Sequence, residues 1–345
     1  MKIRTALPLL LATAAAIASC TGRPTLENVS AEVITSGFIY ESAPFPSCHA
    51  STVLQTEDGG LLAAWFGGSF ESNPDVCIYT SEYSRTTWSA PVMAADGIVS
   101  DTLRYPCWNP VLHRLADGSI VLFYKVGPNP REWWGEYKVS SDEGRTWGER
   151  TALPEGMLGP IKNKPLSLPD GRILYPTSVE FTPEKWRVFM ESSSGDLSGW
   201  SRTDIDNNGF NAIQPTLFFH KGRLDMLCRT QEGVLARASS DDLGRTWTPL
   251  RDSGLQNNNS GIDGTVLKNG LRLLVCNPQK EGRNTLALMG SFDGETWRTL
   301  LMLEDQPCGE FSYPAVICRD NGTVDITYTY NREKIKHVSL EIRCR

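Results

Sequence analysis

Short apolar runs separated by polar turns fill the chain from about residue 44 onward. One example is the run at residues 111–115 (VLHRL), which is followed by an Asp-Gly turn and then by the run at 120–124 (IVLFY). Two such runs joined by a tight turn are typical of a β-hairpin. A third run and a short fourth run follow, and no stretch shows the apolar period of a helix. The pattern predicts an all-β protein made of four-stranded antiparallel units.

The turn after each third run carries a repeated motif, Ser-x-Asp-x-Gly-x-Thr-Trp. Full copies cover residues 140–147 and 240–247, and a copy one residue shorter covers 291–297. Degenerate copies end at Trp88 and Trp200, so the closing tryptophans recur roughly every 50 residues, a period typical of propeller blades. A single copy would be an ordinary packed turn, whereas the recurrence predicts an array of blades.

A second repeat lies at the start of each unit, where a short run leads into the first apolar strand. The residues aligned by this repeat are His49, Asn109, Lys164, Gln214, Asp263 and Tyr313. They also recur roughly every 50 residues, which predicts six units and hence a six-bladed β-propeller. The sixth unit lacks the turn motif and has a weak last strand, so we expect residues 33–40 to supply its outer strand and close the ring.

The innermost strands of a propeller line its central channel. The six aligned side chains should therefore converge at one mouth of the channel, where polar groups in a concave site favour a polar ligand. A channel filled with water and satisfied polar groups is the alternative.

Composition and charge narrow the class of protein. The chain has 30 Gly, 21 Pro and 10 Trp, which suits many short strands and tight turns. Its net charge is -6 with scattered basic residues, which argues against a nucleic-acid partner. Apart from Cys20, eight cysteines remain; their even number permits disulfides, but most lie in apolar runs, where Cys acts as a small hydrophobic residue. No zinc-type Cys/His spacing is present, so we expect neither metal nor cofactor. We also expect the protein to be a monomer.

The first residues indicate export. Lys2 and Arg4 precede an apolar stretch at residues 6–18 that is too short for a mature membrane span. Residues 17–20 (IASC) resemble the cleavage box of bacterial lipoproteins, in which the cysteine is lipidated; an ordinary signal peptide is the alternative. We expect a signal peptide at 1–20, a tether at 21–30 and one catalytic propeller domain at 31–345. The protein would be periplasmic or on the cell surface, held at a membrane only by lipid on Cys20.

The repeated turns on a six-bladed propeller resemble those of the bacterial sialidases (neuraminidases), which carry BNR repeats with Asp-box turns. The resemblance runs from about residue 44 to the end of the chain. It implies a glycoside hydrolase with three carboxylate-binding arginines, a Tyr nucleophile activated by a Glu, and an acid/base residue on a loop of the first blade. Arg229 and Arg283 resemble the second and third arginines, and Tyr313 resembles the nucleophile.

Two positions depart from the sialidase pattern. His49 stands where the resemblance places the first arginine, and Gln214 stands where it places the activating glutamate. Because Gln214 cannot act as a base, Tyr313 would need another partner, and Asp263 and Glu310 are the nearest candidates in sequence.

Other residues complete the expected site. The acid/base is expected in the loop at residues 67–75, where Glu71 is slightly favoured over Asp75. Lys162 and Lys164 would replace the charge of the missing arginine, although an ammonium group is not equivalent to a guanidinium fork. The tryptophans at 108, 133 and 134 would stack on sugars or pack between blades, and packing is favoured for at least two of them.

Three functions are compatible with these residues, each with acidic glycans or glycoproteins as partners. The working hypothesis is an exo-sialidase-type hydrolase that releases terminal sialic acid or a related acidic keto-sugar. The second is a uronic-acid polysaccharide lyase or hydrolase in which His49 and Tyr313 serve as base and acid. The third is a non-catalytic glycan-binding lipoprotein, to which His49 and Gln214 point. Besides a retaining route, an inverting route with Asp263, Glu310 or Glu71 as base stays open.

Overall fold

The structure is a computed structural model that describes residues 25–84 and 86–344. The predicted signal peptide and Cys20 lie outside the described residues, as do residues 21–24 of the predicted tether. A 3-10 turn at Leu26–Asn28 is followed by strands alone. No helix in the described part of the chain has the length and apolar character needed to cross a membrane.

Strands form where the apolar runs alternate with turn residues. The first strand is β1 (Val29–Phe38). Blade one contains β2 (Ser47–Gln55), β3 (Leu61–Gly68), β4 (Cys77–Ser84), β5 (Thr87–Trp88) and β6 (Val92–Ala95). A small hairpin follows, with β7 (Ile98–Ser100) and β8 (Leu103–Arg104). Blade two contains β9 (Cys107–Arg114), β10 (Ile120–Val126), β11 (Trp134–Ser140) and β12 (Thr151–Ala152).

The remaining blades repeat this order. Blade three contains β13 (Leu166–Ser167), β14 (Arg172–Thr182), β15 (Lys185–Ser194) and β16 (Ser201–Asp204). Blade four contains β17 (Ala212–His220), β18 (Arg223–Thr230), β19 (Val234–Ser240) and β20 (Arg251–Gln256). Blade five contains β21 (Asp263–Val266), β22 (Arg272–Cys276), β23 (Thr285–Ser291) and β24 (Arg298–Asp305). Blade six contains β25 (Phe311–Cys318), β26 (Val324–Tyr330) and β27 (Lys334–Cys344), together with β1.

The six antiparallel sheets form a closed ring. The innermost strand β2 contacts both β9 and β25, and β17 contacts both β14 and β21. Apolar side chains pack between neighbouring blades, as Leu62 of blade one does with Leu112 and Leu122 of blade two. The prediction of an all-β, six-bladed propeller with four-stranded blades is confirmed, with β6 as an additional strand on blade one.

The ring is closed by the N-terminal strand, as the sequence predicted. β1 pairs antiparallel with β27, from Val29 opposite Cys344 to Phe38 opposite Lys336. It thereby becomes the outer strand of blade six. The pairing joins the first strand of the chain to the last, so the ring cannot open without breaking a full strand ladder.

The strand directions define two faces of the propeller. We call the face at which the innermost strands begin the mouth. Because successive strands in a blade are antiparallel, loops between second and third strands also lie at the mouth. The Ser-x-Asp turns join third to fourth strands and therefore lie on the opposite face, where β1 also begins.

The Ser-x-Asp turns are held by hydrogen bonds within the motif. In the second blade, Asp142 Oδ1 accepts from the hydroxyl of Ser140 (2.7 Å) and the backbone N–H of Thr146 (2.9 Å). The Thr146 hydroxyl also donates to Asp142, and these bonds lower the pKa of Asp142 to about 2. Gly144, with φ of 86°, packs so closely on Leu62 of blade one that a Cβ would overlap it. The turn therefore packs blade two against blade one and lies on the face opposite the mouth.

All eight cysteines among the described residues are free thiols. Five of them are buried in the blades, where they pack as small apolar side chains.

Candidate active site

Four innermost strands carry a β-bulge near the mouth. The bulged residues at positive φ are Ala50 (57°), Asn109 (40°), Gln214 (54°) and Tyr313 (52°). A non-glycine residue at positive φ is uncommon, and a bulge re-aims a side chain relative to the sheet. The bulges bring Gln214 of blade four and Tyr313 of blade six within hydrogen-bonding distance of each other.

The predicted common register is right for Asn109, Gln214 and Tyr313 and wrong for two other residues. His49 precedes the bulged Ala50 by one position. Asp263 pairs with Val275 at the position where Thr216 pairs with Leu227, which places it two residues beyond the position of Gln214. The reason is physical, since a bulge shifts the side-chain alternation that equal spacing assumes.

The hydroxyl of Tyr313 lies in a hydrogen-bonded group with Arg229 and Gln214. Nη1 of Arg229 donates to the Tyr313 oxygen over 2.7 Å, and Nε2 of Gln214 lies 3.4 Å from the same oxygen. Nη1 of Arg229 also lies 3.2 Å from Oε1 of Gln214. The structure thus brings together the residues that sequence reasoning predicted as nucleophile, second arginine and activator position.

Glu310 joins two arginines beside this group. Its Oε1 accepts from Arg283 Nη1 (2.8 Å), from Arg332 Nε (2.8 Å) and from the hydroxyl of Ser312 (3.1 Å). Burial raises the pKa of Glu310, but Arg332 and Arg283 outweigh burial and hold the pKa below its usual value. Glu310 is therefore a carboxylate that orients two guanidinium groups near the ring of Tyr313; Arg283 lies 5.8 Å from the ring centroid.

Arg332 is a site residue that sequence reasoning missed. It lies in the mouth loop between β26 and β27, with φ of 60°, and also pairs with Glu71 of blade one. The loop carries no motif, so no repeat pointed to it. Its position between second and third strands, comparable to that of Arg283 between β22 and β23, was the one available signal.

His49 packs against Tyr313 as a buried neutral imidazole. The two ring centroids are 4.0 Å apart. Burial lowers the pKa of His49 well below its usual value, and the charges of Arg332, Arg283 and Arg229 lower it further. Both ring nitrogens are buried, and neither has a hydrogen-bond partner among the described residues.

Lys162 lies below the tyrosine rather than at the surface of the mouth. Its Nζ donates to the carbonyl of Ile262 (2.9 Å) and to the carbonyl of Pro314, next to Tyr313. Burial lowers its pKa to about 7. Nζ lies 5.9 Å from the Tyr313 ring centroid, so its charge acts on the site from beneath.

Lys164 and Asp263 form a salt bridge that connects blades three and five. Nζ of Lys164 donates to Asp263 Oδ2 over 2.7 Å. The same carboxylate accepts from the hydroxyl of Thr216 (3.0 Å) and the N–H of Val316 (2.8 Å). With these three partners, Asp263 is bonded to the surrounding blades and not to Tyr313.

The two predicted acid/base candidates lie in different surroundings. Glu71 reaches the arginine pair through Arg332. Asp75 instead accepts from the backbone N–H (3.0 Å) and the hydroxyl (2.6 Å) of Ser69, so it closes its own loop. Asn109 is buried at the mouth end of β9.

Glu180, near the end of β14, was not predicted from the sequence. Its carboxyl is half-buried, and burial raises its pKa; Arg229 and Arg131 oppose that shift, whereas Glu71 adds to it. The charges of Arg229 and Glu71 thus both act on the Glu180 carboxyl. A carboxyl group with a raised pKa beside arginines is typical of functional sites.

A family model described as a BNR repeat-like domain matches residues 59–326 of the chain. A search of curated proteins finds no match.

Solved structures with the same fold include several sialidases. A protein of unknown function from Dyadobacter fermentans matches with a TM-score of 0.74 and 17% identity, over 91% of this chain and 100% of that one. The Hadza microbial sialidase Hz136 matches with 0.72 and 17%, over 86% and 66% of the two chains. The NanB sialidase from Streptococcus pneumoniae matches with 0.68 and 13%, over 88% and 70%. At such identities the likeness shows the fold.

Proposed function

The chain belongs to the BNR repeat-like domain family, and on that premise we propose that it is an exo-acting glycoside hydrolase. It releases terminal sialic acid, or a related acidic keto-sugar, from glycans. The observation that carries this proposal is the 2.7 Å hydrogen bond from Arg229 to the hydroxyl of Tyr313, within a group of three arginines. Such a group combines a nucleophilic oxygen with a site for a carboxylate.

The carboxylate of the substrate is bound by Arg229, Arg283 and Arg332. A guanidinium group has five N–H donors in a planar fork that matches a carboxylate. Glu310 takes one bond from Arg283 and one from Arg332, which orients both groups and leaves further donors on each for the substrate. Arg332 thus performs the role that the sialidase resemblance assigned to an arginine at His49.

Tyr313 is the nucleophile. A carboxylate nucleophile would be repelled by the substrate carboxylate at the anomeric carbon, whereas a tyrosine is neutral until it reacts. Gln214 accepts no proton, so the phenol proton passes to water, and the N–H of Arg229 stabilises the phenolate that remains.

Glu71 is the acid/base. The Tyr313 oxygen bonds to the anomeric carbon while the bond to the leaving group breaks, and Glu71 gives its proton to the leaving oxygen. Glu71 then takes a proton from water, whose oxygen bonds to the anomeric carbon as the bond to Tyr313 breaks, with retention of configuration. The departing phenolate of Tyr313 takes its proton back from water, which restores the enzyme.

The environment of His49 argues against a lyase. A uronate lyase needs the imidazole to exchange a proton with the sugar, but both ring nitrogens of His49 are buried. We further propose that the substrates are sialylated or similarly acidic glycans, that the protein does not bind nucleic acid, and that it acts outside the cytoplasm.

The test is the rate of hydrolysis of a fluorogenic sialoside by the wild type and by Tyr313→Phe. The wild type should release the fluorophore and the variant should not, with thermal unfolding measured in parallel to show that the variant is folded. Normal activity of Tyr313→Phe would refute the nucleophile. Ultraviolet absorbance from an unsaturated uronate, produced by the wild type from a uronate glycan but not from the sialoside, would support the lyase instead.

A further inference from the structure

The mouth end of blade three differs from that of the neighbouring blades. Its innermost strand, β13, has two residues, whereas β9 and β17 have eight and nine. The segment at residues 161–165, just before β13, is not part of a strand. Two of its side chains, Lys162 and Asn163, are nevertheless buried, with 4% and 2% exposed. Buried polar groups need hydrogen-bond partners, and these two have partners on other blades.

Asn163 bonds to the bulge of blade four. The pairing of β17 with β18 skips Gln214 and Pro215, so these residues stand outside the strand ladder. Nδ2 of Asn163 donates to both of their carbonyl oxygens, over 3.0 Å and 2.9 Å respectively. A bulge disrupts the ladder and leaves its extra residue unpaired. The amide of Asn163 therefore supplies a donor that the ladder does not.

Lys162 bonds to the bulge of blade six. The pairing of β25 with β26 skips Tyr313 and Pro314. Nζ of Lys162 donates to the carbonyl of Pro314 and, over 2.9 Å, to the carbonyl of Ile262 at the start of blade five. It also donates to Oδ1 of Asn163 over 2.9 Å. An ammonium group has three N–H donors, so these three bonds use all of them and join the two side chains.

The side chain of Lys162 also runs beside the ring of Tyr313. Gly261 lies against both, since a Cβ on this glycine would be 3.1 Å from Cε of Lys162 and 3.1 Å from Cδ2 of Tyr313. The absence of a side chain at Gly261 thus leaves the space in which the lysine approaches the ring.

The bulges decide where the reacting groups lie. Tyr313 has φ of 52° and Gln214 has φ of 54°, a conformation that costs a non-glycine residue energy and persists only where surrounding contacts hold it. The bonds from Lys162 and Asn163 are such contacts. Without them the bulge of blade six could relax and carry the Tyr313 hydroxyl away from Arg229.

We propose that Lys162 and Asn163 are positioning residues of the reaction. They hold the bulges of blades six and four, and thereby fix the Tyr313 hydroxyl relative to Arg229 and the substrate. The inference rests on the proposed hydrolase function. Both residues act through the bulges and not by contact with the substrate. Because a misplacement of about 1 Å can cost roughly 10²-fold in rate, the expected effect is on kcat.

Crystal structures of the wild type and of Lys162→Met test the positioning directly. Methionine is of similar length but cannot donate to the carbonyl of Pro314. The variant should show a rearranged bulge in blade six and no bond between Arg229 and the Tyr313 hydroxyl. An unchanged bulge that keeps this bond would overturn the proposal, whatever the activity of the protein.

Kinetics on a fluorogenic sialoside test the consequence for the reaction. Lys162→Met should lower kcat roughly 10- to 100-fold and change KM less than about threefold, because Arg283 and Arg332 still bind the carboxylate. The matched control is Lys125→Met, which removes another fully buried lysine, bonded over 2.8 Å to the carbonyl of Pro160 outside both bulges. It should lower thermal stability comparably and leave kcat within threefold of wild type. Equal falls in kcat in the two variants would overturn the proposal.

Asn163→Asp keeps the test decisive if Lys162→Met does not fold. The aspartate is nearly isosteric but presents an acceptor where Nδ2 donated, so it cannot bond to the carbonyls of blade four. It should lower kcat about tenfold. Asn207→Asp is its control, because the amide of Asn207 likewise donates to two carbonyls, those of Val188 and Ile205 in and beside blade three, and it should leave kcat within threefold. A kcat in Asn163→Asp equal to that of wild type would overturn the proposal.

Failure of this inference can be distinguished from failure of the proposed function. If the wild type hydrolyses no sialoside, the hydrolase function fails, and the crystal structures alone decide whether Lys162 holds Tyr313 in place. If the wild type hydrolyses the sialoside and neither variant lowers kcat, the hydrolase function stands and the positioning role fails.

Discussion

Nη1 of Arg229 lies 2.7 Å from the hydroxyl oxygen of Tyr313. A guanidinium group can only donate, so the tyrosine oxygen is the acceptor in this bond. The amide of Gln214 also directs its Nε2 at that oxygen. Two groups thus donate to one phenol oxygen, and no base among the described residues is bonded to it.

Gln214→Glu is therefore expected to increase activity. A carboxylate at this position would accept the Tyr313 proton and pair with Arg229, whose Nη1 already lies 3.2 Å from Oε1 of Gln214. We expect kcat on a fluorogenic sialoside to rise about tenfold or more, toward the low end of general-base effects. Gln231→Glu, at an exposed position, is the control for added charge. A fall in kcat in Gln214→Glu would show that proton removal from Tyr313 does not limit the reaction.

Arg332→Lys should weaken substrate binding. A lysine keeps the charge but loses the planar fork that reaches both Glu310 and a substrate carboxylate. Loss of charged hydrogen bonds worth about 1.5–3 kcal/mol corresponds to a fall of roughly 10- to 100-fold in kcat/KM. Lys334→Ala is the control, because Lys334 lies in the same hairpin as Arg332 and pairs only with the exposed carboxylate of Glu41. A kcat/KM within twofold of wild type would remove Arg332 from the carboxylate site.

Glu71→Gln and Asp75→Asn should separate the two acid/base candidates. Glu71→Gln should slow hydrolysis of sialyllactose by about 10²- to 10⁴-fold, and much less so for a nitrophenyl sialoside, whose leaving group needs no proton. Asp75→Asn should act equally on both substrates and modestly, because the described partners of the Asp75 carboxyl lie within its own loop. The opposite pattern in the two variants would assign the role to Asp75.

The stability of the fold should decrease in acid through His113. This histidine is buried near the interface of blades two and three, with Nε2 3.2 Å from the hydroxyl of Ser167, and burial lowers its pKa from 6.5 to about 4. A lowered pKa means that the contribution to stability is complete above pH 6.5 and is lost as pH falls toward 4. The shift corresponds to about 3 kcal/mol.

Urea unfolding of wild type and His113→Gln at pH 7.5 and pH 4.5 would measure this loss. Relative to the wild type, His113→Gln should lose less stability between the two pH values. His220→Gln, at a less buried position, is the control and should behave as the wild type does. Identical pH dependence in wild type and His113→Gln would refute the assignment.

Blade number, strand order and ring closure could be predicted from the sequence because they rest on repeated signals. The Ser-x-Asp turns and the starts of the inner strands recur in nearly every blade, and β1 was the one unpaired strand available for blade six. Arg229, Gln214 and Tyr313 were found because they lie on those repeated strands.

The rest of the site could not be predicted from spacing. Equal spacing takes no account of which inner strands carry a bulge, which is why His49 was placed one position and Asp263 two positions out of register. Arg332 lies in a loop without a motif, and its importance comes from Glu310 and Glu71, which are brought to it by the closure of blades six and one. Such contacts depend on distance in space and leave no local pattern.

The starting point of β1 has a consequence for how the protein is presented to its surroundings. Val29 lies beside Cys344 on the face opposite the mouth. Nine residue steps separate Cys20 from Val29, a distance of at most roughly 30 Å when fully extended, and the 3-10 turn at Leu26–Asn28 shortens it. If Cys20 carries a lipid, as the sequence predicts, this short segment would hold the face opposite the mouth toward the bilayer. The mouth would then face away from the membrane. Under the proposed function, we would then expect the protein to act on glycans that arrive from outside the cell and not on those of its own membrane.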